Sequence, residues 1–152
     1  DDGLERRPLA PDAEAAIATA TDIDKAVRGG PREQDLRRWL AAGATGDLLL
    51  RPDPLTPAGY FLVSVDGEEG RLGPVAAIDA ERLPDVLGHA LAAAGDRHHP
   101  GMTWRVELPG ECWAAYAPLR AAGFQPERLV RMLASAPLGR WDRYLFRDFD
   151  FL

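Results

Sequence analysis

The chain has 152 residues, 46% of them apolar and 28% charged, with a formal net charge of −6 at pH 7. This is the composition of a soluble globular protein, of a length that one domain with a substantial core would occupy. No apolar run is long enough to span a bilayer and nothing resembles a signal peptide, so neither a helical membrane protein nor a membrane partner is expected. The acidic balance argues against nucleic acid as the main partner. Cys112 is the only cysteine, which leaves no internal disulfide and makes a reducing cytoplasm the expected setting. The first residue is Asp1 rather than Met, as expected of a slice of a longer protein.

Residues Asp1 to Leu9 show no periodicity and read as an irregular lead-in or a ragged first strand. Pro11 and Asp12 then start a helix whose apolar stripe is Ile17, Ala20, Ile23 and Val27, closed by Gly29 and Gly30. Pro31 opens a second helix, with Leu36, Trp39 and Leu40 as its buried face and Arg32, Glu33, Arg37 and Arg38 expected in solvent. Three strands follow, at Asp47 to Arg51, Tyr60 to Val65 and Arg71 to Ile78. The last two form a hairpin across Asp66–Gly70, expected to need a loop longer than two residues. Gly73-Pro74 inside the third strand implies an edge or a bulge, because proline cannot donate to a ladder.

Asp79 is the expected N-cap of a third helix carrying Leu83, Val86, Leu87, Ala90, Leu91 and Ala94 on one face. Pro84 is tolerated only in a first turn, so the helix start can slip past Asp79. The most informative stretch comes next, Thr103 to Phe124. Trp104 to Leu108 alternates apolar and charged residues, the pattern of a strand, and Pro109-Gly110 ends it. Cys112, Ala115, Tyr116 and Leu119 then share a helical face, and Gly123 stands where a left-handed cap is wanted. Strands at Leu129–Ala134 and Arg143–Phe151 complete the chain. A strand, a crossover helix and a second strand from Val75 to Leu108 require parallel neighbours. The expected architecture is a single α/β domain over residues 1–152 with a mixed, mostly antiparallel sheet and flanking helices.

That order of elements, with the strings GRLGPVAAID, WRVELPGECWAAYAPLRAAGF and LVRM, resembles the GNAT N-acetyltransferase superfamily. It is most similar to the diverged GNAT-like domains that form the second half of tandem acetyltransferases. The shared features are Arg71-Leu72-Gly73-Pro74, Leu108-Pro109, Gly123-Phe124 and Arg131-Met132. The resemblance implies a centrally splayed sheet and acetyl-CoA as co-substrate, its pantetheine arm lying along the main chain of Val75, Ala76, Ala77 and Ile78. The next helix start would hold the pyrophosphate on its N–H groups and dipole. Where the family pattern has a glycine pair before that helix, this chain has Glu81 and Leu83, with Arg82 as the available cation. Leu119 stands at the family's usual tyrosine, and Cys112 at its usual asparagine.

Amine acetylation needs a base for the ammonium proton, polarisation of the thioester carbonyl and an acid for the leaving thiolate. Glu107, at the end of its strand, is the candidate base, against the alternative of a solvent-facing Glu. Tyr116 is the candidate acid, one turn before the usual position, against the alternative of a core aromatic. Cys112 reads as a buried small hydrophobe rather than a nucleophile. His98 and His99 lack a third ligand at metal spacing, and no metal is expected. The implied function is N-acetylation of a small amine or an amino terminus. The alternative is a non-catalytic GNAT-like domain that dimerises, packs against a second GNAT domain, or binds an acyl-CoA as a regulatory ligand. The aromatic tail around Tyr144-Leu145-Phe146 is expected either to pair into the sheet or to bury against such a partner.

Overall fold

The computed structural model describes residues 3–52, 55–129 and 139–147. Six strands are present among them: β1 (Glu5–Leu9), β2 (Thr45–Pro52), β3 (Leu55–Asp66), β4 (Glu69–Ala77), β5 (Thr103–Arg105) and β6 (Tyr144–Leu145). Four helices accompany these strands: α1 (Glu14–Val27), α2 (Glu33–Ala41), α3 (Leu83–Gly95) and α4 (Trp113–Ala121). The sheet runs β1-β2-β3-β4-β5, antiparallel up to β4, with β5 parallel to β4 and β6 antiparallel to it. This is the mixed, mostly antiparallel α/β sheet expected, with α3 as the crossover. The ragged lead-in is a regular edge strand, β1. The β3–β4 hairpin pairs Asp66 with Glu69 across Gly67-Glu68, so its loop is two residues and not the longer one expected.

Period-2 alternation in the strands sends side chains to two separate cores. Leu48, Leu50, Tyr60, Leu62 and Ala76 face α1 and α2. Leu49, Phe61, Val63, Val75 and Ala77 face α3 and α4. The stripe expected of α1 is buried, Ile17, Ala20, Ile23 and Val27, and so is that of α3 at Leu83, Val86, Leu87, Ala90 and Ala94, while Leu91 is only partly buried. Pro84 sits in the first turn of α3 behind a short 3₁₀ turn at Ala80–Arg82, the slipped start that its missing N–H allows. Gly123 takes φ +91° after α4, the left-handed cap conformation.

Further expectations are corrected. Arg32 is not in solvent: it is 6% exposed, and α2 begins at Glu33, one residue after it. The reason is Asp24, fully buried on the inner face of α1, because a lone interior carboxylate costs several kcal/mol. Arg32 Nε donates to Asp24 Oδ2 at 3.3 Å, and Tyr60 Oη donates to Asp24 Oδ1 at 2.6 Å. Burial and the Asp24 charge hold the Tyr60 phenol well above its ordinary range, so it stays a donor. Second, Tyr116 is half exposed while Ala115 and Leu119 carry the buried face of α4. Third, the strand expected over Trp104–Leu108 is hydrogen-bonded to β4 only as far as Arg105. The strand expected at Leu129–Ala134 falls, beyond Leu129, outside the described residues, as does Phe151.

The buried Asp24–Arg32 pair gives a direct test. Asp24→Ala leaves the guanidinium uncompensated in the core and is expected to cost about 3–5 kcal/mol, read as a lower urea midpoint at unchanged slope. Asp24→Asn, which keeps an acceptor for Tyr60, is expected to cost less.

Candidate functional site between the splayed strands

The site begins with an irregularity in β4. Across from it, Val63 pairs with Leu72 and Phe61 pairs with Val75, so β4 carries one extra residue around Gly73-Pro74. This is the bulge expected of that dipeptide. Before the bulge, the outer edge of β4 pairs with β5, Glu69 with Thr103 through Arg71 with Arg105. Beyond it the two parallel strands separate.

The gap they leave is occupied by the chain itself. Antiparallel β6 places Leu145 opposite Val75 and Tyr144 opposite Ala76. Phe146 continues the segment to the far side of the gap, its N–H donating to the Glu107 carbonyl at 3.0 Å. The alternation of β6 matches the two-sided sheet, with Leu145 in the α3–α4 core and Tyr144 and Phe146 in the α1–α2 core. All three are at most 2% exposed. Burial contributes about 1.5–3 kcal/mol for each such side chain, against about 0.5–1.5 kcal/mol for each backbone hydrogen bond. Docking is therefore driven mainly by side chains. The edge along which the resemblance places the pantetheine arm, Val75 and Ala76, is paired on both sides, with β3 and with β6.

Polar groups pin the same segment. Arg32 Nη2 donates to Tyr144 Oη, and the guanidinium lies 5.4 Å from the Tyr144 ring and 5.1 Å from the Trp39 ring, within cation–π range. Arg140 N–H donates to the Val27 carbonyl at 2.6 Å. Arg147 Nη1 donates to Ser64 Oγ at 2.8 Å. Gly73 adopts φ +144°, and a Cβ there would stand 2.5 Å from the Phe146 carbonyl oxygen. A glycine is required at that contact both by its conformation and by the approach of the docked backbone.

Just beyond the gap an open cleft of about 500 Å³ is lined by Arg51, Asp79, Ala80, Glu81, Arg82 and Arg143. It lies at the start of the 3₁₀ turn that leads into α3. Arg143 Nη1 reaches the Ile78 carbonyl at 2.9 Å, which ties the cleft to the end of β4. Each arginine also has a carboxylate partner: Asp79 for Arg51, Asp85 for Arg82 at 2.9 Å, and Asp142 for Arg143 at 2.9 Å. Asp79 gives no side-chain cap to the helix start, being engaged with Arg51. Arg82 was legible as a cation here. Arg51 and Arg143 were not, because one lies on a distant strand and the other on the docked segment.

The remaining candidates divide. Glu107 flanks the gap through its bridge to Phe146, with a side chain 20% exposed and Arg128 Nη2 at 4.0 Å from its Oε1. Val75, Ala76 and Glu107 are thus brought together through β6, and Ile78 and Arg82 through the cleft. Tyr116, half in solvent on α4, belongs to neither group. Cys112 is 1% exposed, with Sγ 3.6 Å from the Asp142 carbonyl oxygen. Burial pushes its thiol up to about 12, which suppresses the thiolate a nucleophile needs. His98 and His99 are exposed in their loop, and no group of potential metal ligands occurs among the described residues. Among the described residues, no helix is long and apolar enough to cross a membrane.

No family model matches the chain, and no curated protein matches it at a significant level. Among solved structures it is similar to an aminoglycoside acetyltransferase from an uncultured soil metagenomic sample, with a TM-score of 0.54 and 16% identity over 88% of this chain and 99% of that one. At this identity the likeness concerns the fold. The chain has the fold of an acetyltransferase.

The state of Cys112 can be read chemically. Alkylation by iodoacetamide at pH 8 is expected to be negligible in the folded chain and rapid in urea. In the folded chain it should climb only as pH approaches the raised thiol value of about 12, because the thiolate fraction grows tenfold per pH unit below it.

Proposed function

We propose that this chain is an acyl-CoA-dependent acyltransferase domain that transfers an acetyl group to the amine of a small molecule or an amino terminus. The observation that carries the reading is the parting of two parallel strands, β4 and β5, beside an arginine-lined cleft at the approach to α3, in a fold shared with an acetyltransferase. Arg51, Arg82 and Arg143 supply the positive charge that a diphosphate needs, in place of a glycine pair. Their carboxylate partners are all partly exposed pairs, each worth little, so an incoming phosphate can exchange with them. The main chain of Val75, Ala76, Ala77 and Ile78 is the edge that the amides of pantetheine would follow. Glu107 would take a proton from the ammonium, and the freed amine nitrogen would attack the thioester carbonyl carbon. The carbon–sulfur bond then breaks, the new amide nitrogen gives up its second proton to solvent, and the thiolate of CoA takes one up from solvent. Tyr116, half exposed on α4, stands apart from this site.

A second reading, a non-catalytic domain packed against a second GNAT domain or a second copy of this chain, is favoured by β6 lying in the gap. It is also favoured by the exposed apolar side chains Trp113 (78%), Tyr116 (46%) and Leu129 (90%), the kind of surface that partners cover. The diverged second half of a tandem acetyltransferase would combine these properties.

Acetyl transfer to a panel of primary amines is expected to slow at least about tenfold in Glu107→Gln with acetyl-CoA affinity unchanged. An unchanged rate removes Glu107 as the base. If neither the native chain nor Leu145→Ala binds acetyl-CoA by calorimetry at millimolar ligand, the acyltransferase reading is abandoned for the non-catalytic one.

A further inference from the structure

We propose that the segment Trp141–Phe146 is an internal occupant of the acyl-CoA slot, so that β6 and the pantetheine arm compete for one edge of β4 and acyl-CoA enters only when β6 withdraws. The inference rests on the acyl-CoA reading above, and three observations carry it further. First, the pairing is placed where competition must occur. β6 bonds to β4 only beyond the bulge, at Val75 and Ala76, and reaches across the gap to Glu107. Pantetheine is itself a chain of amides, and β6 offers β4 the same kind of donors and acceptors, so the two occupants satisfy the same backbone groups.

Second, the docking is specific rather than incidental. Trp141, Tyr144 and Phe146 form one aromatic cluster, with ring centroids 5.0 Å apart for Trp141–Phe146 and 5.3 Å for Tyr144–Phe146. Tyr144 adds the hydrogen bond from Arg32, which belongs to the buried Asp24 network. A register slip of one residue would turn Leu145 toward Arg32 and Tyr144 toward the α3 side, so the seat is unique. Third, the occupant also controls the neighbouring cleft. Arg143 stands one residue before β6 and supplies one of its three arginines. Withdrawal of β6 would break the contact between Arg143 and the Ile78 carbonyl, freeing that guanidinium for an incoming phosphate. Main-chain access and phosphate-site charge are therefore coupled through one segment, and the Phe146–Glu107 bridge opens in the same movement.

The competition has a quantitative signature. The apparent dissociation constant equals the intrinsic one divided by the fraction of chains with β6 withdrawn, so weakening the seat tightens acyl-CoA binding. Leu145→Ala removes the side chain that β6 contributes to the α3–α4 core, and acetyl-CoA is expected to bind it at least about tenfold tighter than the native full-length chain. The opposite perturbation is Val75→Cys with Leu145→Cys, directly opposed residues, in a Cys112→Ala background so that one disulfide alone can form. Its oxidised form is expected to bind acetyl-CoA at least about tenfold more weakly than its reduced form. Amide hydrogen exchange supplies a readout that does not depend on the disulfide closing. In the native chain, saturating acetyl-CoA is expected to speed exchange at residues 144–146.

Equal affinity in the native chain, Leu145→Ala and both redox forms, with residues 144–146 still protected in the liganded protein, would overturn the competition and leave acyl-CoA binding standing. Absence of binding in every form, with Leu145→Ala showing rapid exchange at residues 144–146, would overturn both, because an emptied slot would then have no ligand.

Discussion

The outer edge of β4 can satisfy its backbone in more than one way, and much of the molecule is arranged around that choice. Up to Arg71 the edge belongs to β5. The extra residue at Gly73-Pro74 turns the strand, and Pro74 has no N–H to offer a neighbour. Past that point Val75 and Ala76 would present buried N–H and C=O groups with no partner, a state that folded proteins avoid because each such group costs about 1–3 kcal/mol. In this structure β6 fills that gap and pairs with those groups.

What holds β6 in place is shared between the two faces of the sheet. Leu145 inserts among the residues of α3 and α4, while Tyr144 and Phe146 complete the core under α1 and α2. Neither face alone would specify the register, since a one-residue slip exchanges the faces. The Arg32 guanidinium makes the distinction sharp, because it needs both the Asp24 carboxylate and a polar ring tip above it. Buried charge of this kind is not a strong source of net stability. Its role here is to admit one arrangement of helix, strand and tail and to penalise the alternatives.

The neighbouring cleft follows different physics. Its arginines come from β2, from the turn before α3 and from the segment preceding β6, and each is matched by an aspartate. These pairs are at the surface, in a high-dielectric setting where ion pairing is weak and exchange is cheap. Glycine-rich phosphate loops work by close approach of backbone N–H groups, which Glu81 and Leu83 do not favour. Long guanidinium side chains on converging elements can supply charge and donors without that approach. Tight burial at β6 and loose pairing at the cleft sit side by side, joined by the contact of Arg143 with the Ile78 carbonyl.

Much of the fold could be read directly from residue order. The helical stripes of α1 and α3, the distortion at Gly73-Pro74 and the left-handed cap at Gly123 are consequences of local chemistry: side-chain period, a missing N–H, a missing Cβ. The resemblance carried by Arg71–Pro74 and Gly123-Phe124 pointed to an acetyltransferase fold, and Arg82 was visible as a cation at the start of α3. Errors arose where a distant residue decided the outcome. Arg32 reads as polar and exposed until Asp24 is known to be buried opposite it. The strand from Trp104 reads as continuous until β6 takes the edge it would have used. Tyr116 sits on an apolar helical face by spacing, yet the buried area on α4 is narrow and reaches only Ala115 and Leu119.

Residue order alone was enough for the four helices, the parallel crossover through α3 and the place where β4 must bend, because each follows from periodicity or from a backbone that Gly and Pro constrain. It also marked Tyr144-Leu145-Phe146 as too apolar to be left in water, while leaving open what would cover it. Their place between β4 and β5, against Val75, Ala76 and Glu107, is visible only in the folded chain. That outcome depends on matching two cores, one buried ion pair and one unpaired strand edge at once, and no local stretch of chain contains all of them.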